Sequence, residues 1–277
     1  MSATQFLPRP DGRIAYDVDG AASAPLVVCV PSMGDVRGEY RELAPRLVRE
    51  GFRVATLDVR GHGESDVGFR DVSAAAVGSD VVALVDALGA SKAHVIGTSM
   101  AAAAAVWAAA ERPDVIERLV LVGPFVRDIP GSAFMRLAIK LMFMRPWGAA
   151  MWSLYYKMLY PTRPPTDLAE YRAALAANLR QPGRLEALQA MLAAKKAPCE
   201  ARIPEVRARA LVVMGTRDPD FPKPEAEAEL VQARLSAERF MVEGAGHYPH
   251  VEMPELVAPR IAAFLAPAAA RAEAAHA

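Results

Sequence analysis

Cysteine, unbalanced charge and long hydrophobic runs are all scarce or missing in this sequence of 277 residues. Its two cysteines, Cys29 and Cys199, are far apart, so we expect neither a disulfide framework nor a cysteine metal site. The 32 basic side chains are matched by 32 acidic ones, which gives no reason to expect nucleic acid or an anionic membrane as a partner. No apolar run reaches the roughly 20 residues that cross a bilayer, and residues 1–11 lack the pattern of a signal peptide. These absences predict a cytoplasmic protein.

Short apolar runs alternate with helical patterns along most of the chain. The run Leu26–Val30 is continuously apolar, as is typical of a central strand covered on both faces. Further strands are predicted at 13–17, as an edge strand, and at 53–58, 93–96, 119–122, 210–214 and 240–242. Helices are predicted at 39–50, around 81–88, and at 99–112, 224–235 and 254–265. This alternation predicts an α/β fold with a mostly parallel sheet wrapped by helices.

The stretch 126–206 breaks the alternation because it contains no convincing strand and is rich in methionine and aromatic residues. We interpret it as a helical cap inserted into a core domain that comprises residues 1–125 and 207–277. Most of its apolar side chains are expected to pack between cap helices, and some to line an apolar pocket over the active site. The candidates for that pocket are Met142, Trp152 and Tyr155 from the cap, and Ser32 from the core.

The segment Gly97-Thr98-Ser99-Met100-Ala101 lies between a predicted strand and an alanine-rich helix. A serine there projects from a tight turn, and small residues two positions before and after it let the strand and helix approach closely. The helix N-terminus also favours developing negative charge. The pattern predicts that Ser99 is a nucleophile, with a mere helix N-cap as the alternative.

Two partners for this serine follow later strands. Asp218 lies after the strand at 210–214, in Gly215-Thr216-Arg217-Asp218-Pro219, and His247 lies after the strand at 240–242. A serine hydroxyl needs a base to take its proton, and a carboxylate orients that base. The carboxyl ends of parallel strands meet at one edge of a sheet, so we expect Ser99, Asp218 and His247 to converge.

The order serine, acid, histidine, with each residue after its own strand, resembles the α/β-hydrolase fold superfamily over about residues 12–265. The loop Gly61-His62-Gly63-Glu64-Ser65 and the segment from Gly246 to Glu255 are also similar to loops of that family. The resemblance implies a roughly eight-stranded twisted sheet flanked by helices, with the helical cap inserted where 126–206 lies.

The resemblance also implies an oxyanion hole made of two backbone N–H groups. Position by position these belong to Met100, directly after the nucleophile, and to Met33, in the loop after the strand Leu26–Val30. The family often opens that loop with His-Gly, whereas this chain has Pro31 and Ser32 there. Ala101 stands where the family has a glycine.

Other titratable residues were weighed as rivals. Asp220 and Asp128 are alternative acids, and Asp218 is favoured because its Gly-x-x-Asp-Pro setting matches the usual position. His62 is interpreted as structural and His250 as a loop residue or part of a helix start. No cluster has metal-ligand spacing and no Gly-x-Gly-x-x-Gly follows the first strands, so we expect neither a metal nor a cofactor.

A serine nucleophile argues against the epoxide hydrolases and haloalkane dehalogenases of the superfamily, which use a carboxylate. The sequence therefore predicts a carboxylesterase-like serine hydrolase that cleaves a small to medium, apolar ester through an acyl-enzyme. Lactone or carbon–carbon bond hydrolysis by the same triad is an alternative, and so is a small-ligand receptor with little turnover. The natural substrate and the oligomeric state cannot be read from the sequence.

Overall fold

The computed structural model describes residues 3–128 and 133–266, and within them eight strands form one sheet. In chain order the strands are β1 (Gln5–Arg9), β2 (Gly12–Asp19), β3 (Leu26–Val30), β4 (Arg53–Leu57), β5 (Ala93–Thr98), β6 (Ile116–Val122), β7 (Arg209–Gly215) and β8 (Glu238–Val242). Across the sheet their order is β1-β2-β4-β3-β5-β6-β7-β8. The pairs β1–β2 and β2–β4 are antiparallel and the other pairs are parallel. The predicted fold class, a mostly parallel sheet of about eight strands, is confirmed.

Helices cover both faces of the sheet. They are α1 (Ala44–Arg49), α2 (Ala74–Ala87), α3 (Ala101–Glu111), α4 (Ala133–Met142), α5 (Gly148–Met158), α6 (Leu168–Arg180), α7 (Arg184–Ala193), α8 (Ala197–Glu200), α9 (Pro224–Leu235), α10 (Pro249–Glu252) and α11 (Pro254–Leu265). One core cluster joins α2, α3 and α9 to the sheet, and a second joins α1 and α11 to its other face. Along β3, Val28 belongs to the first cluster and Val27 and Cys29 to the second, because side chains alternate along a strand.

Two predicted elements were wrong in their details. The strand predicted at 13–17 as an edge is part of β2, which lies between β1 and β4, and the edge is β1. β1 was missed because it has a single buried residue, Leu7, and contains Pro8, which only an edge strand tolerates well. The helix predicted at 39–50 is a 3₁₀ helix, Arg37–Arg41, followed by α1, which ends before Gly51 at φ 88°.

Between β6 and β7 the described residues form helices α4 to α8 and no strand. Two apolar clusters hold these helices: one around Tyr156 packs onto Tyr248 and Val251 after β8, and the other surrounds Trp152. Some methionine and aromatic side chains expected in the cap core are instead exposed, notably Trp147 and Met158. The division into cap and core domains remains a prediction. None of the helices in the described parts of the chain is long and apolar enough to span a bilayer.

Candidate active site

Ser99 occupies a strained turn between β5 and α3. Its φ is 57°, in the left-handed region that a residue with a side chain rarely adopts, at a cost of order 1–3 kcal/mol. The Ser99 N–H donates to Val122 O at 2.8 Å, and the Ser99 carbonyl accepts from the N–H groups of Ala102 and Phe125, each at 3.1 Å. The alternative that Ser99 merely caps the helix is wrong, because the N-cap position of α3 is Met100 and no side chain makes a capping bond there.

Gly97 allows the close approach that this turn requires. A Cβ built on Gly97 would lie 2.3 Å from the backbone oxygen of Ala101 and 3.0 Å from the nitrogen of Ala102, both in the first turn of α3. Backbone atoms cannot move aside as the end of a flexible side chain can. The close packing predicted for the residues around Ser99 therefore has its physical origin at Gly97, whereas the methyl group of Ala101 is accommodated and fully buried.

Asp218 and His247 meet beyond the ends of β7 and β8. His247 Nδ1 lies 2.7 Å from Asp218 Oδ2, and both side chains are almost completely buried. Burial disfavours the imidazolium, but the negative charges of Asp218 and then Asp220 outweigh that effect and raise the pKa of His247 to about 9. The structure thus joins the predicted acid to the predicted base, and His247 lines the same cavity as Ser99.

Asp220 lies on the opposite side of the imidazole from the Asp218 contact. Its Oδ2 is 3.6 Å from His247 Nε2, its Oδ1 accepts the hydroxyl of Tyr155 at 2.5 Å, and its N–H donates to Asp218 Oδ1 at 2.9 Å. Burial raises the pKa of Asp220, and the charge of His247 opposes that rise. Sequence reasoning weighed Asp220 only as a rival acid and missed this position, which depends on how α5 places Tyr155.

Folding also creates a cluster that sequence spacing did not reveal. Asp218, Asp220 and His247 each offer one atom that could ligate a metal, and these atoms lie within 4.8 Å of one another. The Asp218–His247 hydrogen bond accounts for much of that proximity, as expected for an acid that orients a catalytic base. The expectation that no metal is required stays a prediction.

A cavity of about 330 Å³ extends from Ser99, Asp220 and His247 to helices α4, α5 and α7. Its lining is mostly apolar and contains all four predicted pocket residues together with Met33; the full set is Ser32, Met33, Ser99, Phe125, Ile139, Met142, Phe143, Trp152, Tyr155, Leu159, Leu192, Asp220, His247 and Tyr248. Tyr248 was not among the predicted pocket residues, although its position directly after His247 is a usable signal. A larger groove of about 1180 Å³ lies beside the 3₁₀ helix and α6, and its lining includes neither Ser99 nor His247.

The loop that carries Pro31 and Ser32 is held from three directions. The Ser32 N–H donates to Glu39 Oε2 at 2.8 Å, and the Ser32 hydroxyl lies 2.5 Å from the Tyr248 hydroxyl. Trp152 Nε1 donates to the carbonyl of Gly34 at 3.0 Å, which ties α5 to the loop. Met33 lines the cavity, but its role and that of Met100 as oxyanion donors remain predictions.

A buried carboxylate fastens the same loop to the cap. Asp35 accepts hydrogen bonds from the hydroxyls of Tyr156 at 2.7 Å and Tyr171 at 2.5 Å, and from the N–H of Val36 at 2.8 Å. Burial and, second, the negative charge of Glu39 raise the pKa of Asp35 to about 7. Within residues 3–128 and 133–266, the groups that bond to the Asp35 carboxylate are all neutral donors.

The other titratable residues considered from the sequence bond to groups outside the cavity around Ser99. Asp128 accepts the N–H of Lys196 at 3.0 Å, beside α8. His62 Nδ1 lies 2.9 Å from the carbonyl of Arg60, and burial lowers the pKa of His62 to about 4. His250 lies in α10 with Nε2 at 3.2 Å from Glu39 Oε1, both side chains being fully buried. None of these residues lines the cavity around Ser99.

The fold and the site together define the class of protein. Residues 25–254 match the model of the alpha/beta hydrolase fold family, and the chain belongs to that family. It is 23% identical over 244 residues to 3-oxoadipate enol-lactonase 1 of Acinetobacter baylyi, covering 87% of this chain and 89% of that protein. It is 29% identical over 238 residues to a 2-hydroxy-6-oxo-6-phenylhexa-2,4-dienoate hydrolase of Comamonas testosteroni, covering 80% of this chain and 79% of that protein.

Among solved structures, a hydrolase from Pseudomonas aeruginosa superposes with a TM-score of 0.81 at 27% identity, covering 95% of this chain and 98% of that one. The family and these relatives establish the chain as a hydrolase. They support ester, lactone and related hydrolyses equally at this level, so the bond that is cleaved has to be argued from the site.

Proposed function

We propose that the protein is a serine hydrolase that cleaves a carboxylic ester of a small to medium, apolar substrate through an acyl-enzyme. The observation that carries this proposal is the strained backbone of Ser99 at the wall of a cavity that it shares with His247, whose other ring nitrogen is bonded to Asp218. Strain of this kind persists where the surrounding structure enforces it, and it is concentrated at functional sites.

Each member of the triad has a defined task. Neutral His247 takes the proton of the Ser99 hydroxyl as the oxygen attacks the ester carbonyl, and the resulting imidazolium gives that proton to the departing alcohol. Asp218, whose Oδ2 contacts His247 Nδ1, keeps the imidazole ring in its orientation and stabilises the imidazolium. The N–H groups of Met33 and Met100 stabilise the oxyanion. Water then attacks the acyl-enzyme by the same route and releases the acid.

The size and chemistry of the cavity support a compact apolar substrate. A volume of about 330 Å³ lies at the lower end of the range of small-molecule sites. Aromatic and aliphatic side chains line the part contributed by the cap, where Trp152 and Tyr155 lie with ring centroids 5.3 Å apart. Hydrolysis of a lactone or of a carbon–carbon bond by the same residues is the second candidate, which the relatives named for an enol-lactone and a dienoate favour.

The test is a panel of p-nitrophenyl esters of two to eight acyl carbons, extended to lactones and vinylogous diketones. We expect the short esters to be turned over and Ser99→Ala to lower kcat by at least about 10³-fold, while Ser91→Ala, at an exposed serine, leaves it unchanged. A fluorophosphonate should label the wild type and not Ser99→Ala. Ser99-dependent turnover confined to lactones or diketones would favour the second candidate. Absence of labelling, with ligands that only raise the melting temperature, would indicate a receptor.

A further inference from the structure

One carboxylate projects into the wall of the catalytic cavity without belonging to the triad. Asp220 lines the cavity together with Ser99 and His247, and its side chain is 15% exposed, whereas that of Asp218 is completely buried. The Tyr155 hydroxyl, which donates to Oδ1, holds the carboxylate so that Oδ2 faces His247 Nε2 at 3.6 Å. A substrate acyl group bound at Ser99 therefore lies beside a fixed negative charge.

A protonated His247 does not balance that charge for a ligand, because it is shared between two carboxylates, Asp218 at 2.7 Å and Asp220 at 3.6 Å, and the three groups together stay net negative. Within the described parts of the chain the cavity lining contains neither Lys nor Arg, and His247 is its only other group that can carry charge near neutral pH. Lys196 has its Nζ 6.0 Å from the ring centroid of Phe125, a lining residue, but does not itself line the cavity. An anionic ligand group would therefore lose its hydration in this cavity and meet a like charge.

We propose that Asp220 is a specificity-determining residue that excludes carboxylates from the cavity, so that the natural substrate is uncharged in the part that enters. This inference rests on the proposed ester hydrolysis and narrows its substrate class. It also separates this chain from the two relatives described above, whose names specify an oxoadipate and a dienoate, both carboxylates. Tyr155 is the positioning residue that aims the Asp220 carboxylate.

The experiment compares two esters that differ only in charge at the far end of the acyl chain. They are p-nitrophenyl hydrogen adipate, which ends in a carboxylate, and p-nitrophenyl 5-carbamoylpentanoate, which ends in a neutral amide of nearly the same size. The readout is the ratio of their kcat/KM values at pH 8. Because Asp220 also faces His247, its replacement will change both rates, but such a common effect cancels in the ratio.

We expect the wild type to prefer the amide ester by about 10- to 100-fold, the size of like-charge repulsion over several ångströms at a partly buried site. Asp220→Asn should bring the ratio within about 3-fold of unity, and Asp220→Glu should retain the preference because it keeps the charge. Asp114→Asn, which removes an exposed carboxylate between α3 and β6, is the matched control and should leave the ratio unchanged.

Equal turnover of both esters by the wild type, or a preference that survives in Asp220→Asn, would overturn the inference while leaving the proposed function intact. Absence of Ser99-dependent turnover of both esters would instead reject the proposed function. In that case the discrimination between a neutral amide and a carboxylate is measured by binding. The ligands are hexanamide and hexanoate, and the signal is quenching of the fluorescence of Trp152, which lines the cavity. Tighter binding of hexanamide that disappears in Asp220→Asn would support the inference, and equal binding would refute it.

Discussion

Replacing Asp35 by Asn should make the protein more stable at alkaline pH. Three neutral donors bond to the Asp35 carboxylate, and an asparagine can keep all three contacts. Its oxygen would accept from Val36 N and the Tyr171 hydroxyl, while its NH₂ would donate to the Tyr156 oxygen. The Tyr156 hydroxyl could then turn toward Tyr160, whose hydroxyl is 3.1 Å away. The substitution thus removes a buried charge and keeps the packing.

The magnitude follows from the pKa of Asp35, which is about 7 in the folded protein and near 3.9 in an unfolded chain. Because the folded state holds the proton more tightly, this group favours folding most at low pH, and that contribution is lost as the pH rises through 7. The loss approaches 1.4 kcal/mol per pH unit between the two pKa values. Between pH 5 and pH 8 it amounts to about 3 kcal/mol of the free energy of unfolding.

The assay is urea denaturation of the wild type and Asp35→Asn at pH 5, 6, 7 and 8, monitored by tryptophan fluorescence and circular dichroism. From pH 5 to pH 8 the free energy of unfolding of the wild type should fall by about 3 kcal/mol more than that of the variant. Asp167→Asn is the control, because Arg41 lowers the pKa of Asp167 rather than raising it. Removing the Asp167 carboxylate should therefore leave the fall in the free energy of unfolding between pH 5 and pH 8 in place. Identical pH dependence in the wild type and Asp35→Asn would refute the reasoning.

Two further predictions concern the turn at Ser99 and the base. Gly97→Ala should lower the free energy of unfolding by about 2–3 kcal/mol in the same urea assay, because its Cβ would overlap the backbone of α3. Gly89→Ala should cost only about 1 kcal/mol, since Gly89 has a positive φ but open space around it, and equal losses in the two variants would contradict the steric argument. The kcat/KM of a neutral ester should rise with pH, and the midpoint of that rise should lie near the His247 pKa of about 9, since only neutral imidazole acts as the base. Asp220→Asn should move that midpoint to lower pH, and an unchanged midpoint would show that the Asp220 charge does not reach the imidazole.

The parts of the molecule that could be predicted from the sequence are those encoded locally. β3 was evident as an uninterrupted apolar run, and the positions of Ser99, Asp218 and His247 were evident because each follows a strand in a short, recognisable loop. The bounds of α9 and α11 were also predicted correctly, since each begins with a proline in its first turn.

The features that sequence reasoning missed depend on contacts between distant segments. The position of Asp220 is defined by a hydrogen bond from Tyr155, 65 residues away, and that bond exists only once α5 has packed over the sheet. Glu39 stands at the start of the helix predicted at 39–50, but in the structure it is buried, supports Ser32 and lies beside His250. Charged residues normally lie at the surface, so periodicity alone gives no signal for a buried carboxylate that holds a loop.

The location of His247 has a consequence for how the protein acquires and loses activity. The proposed base follows β8, which is the last strand of the sheet and has β7 as its sheet neighbour in the described structure. During synthesis Ser99 emerges long before this strand, so under the proposed mechanism a chain turns over substrate only after β8 has docked at the edge of the sheet. Detachment of that edge would conversely separate the base from the nucleophile while most of the sheet stays folded. The rate of hydrolysis then reports whether the last strand is docked. On heating, this rate should fall at a lower temperature than the one at which the whole protein unfolds.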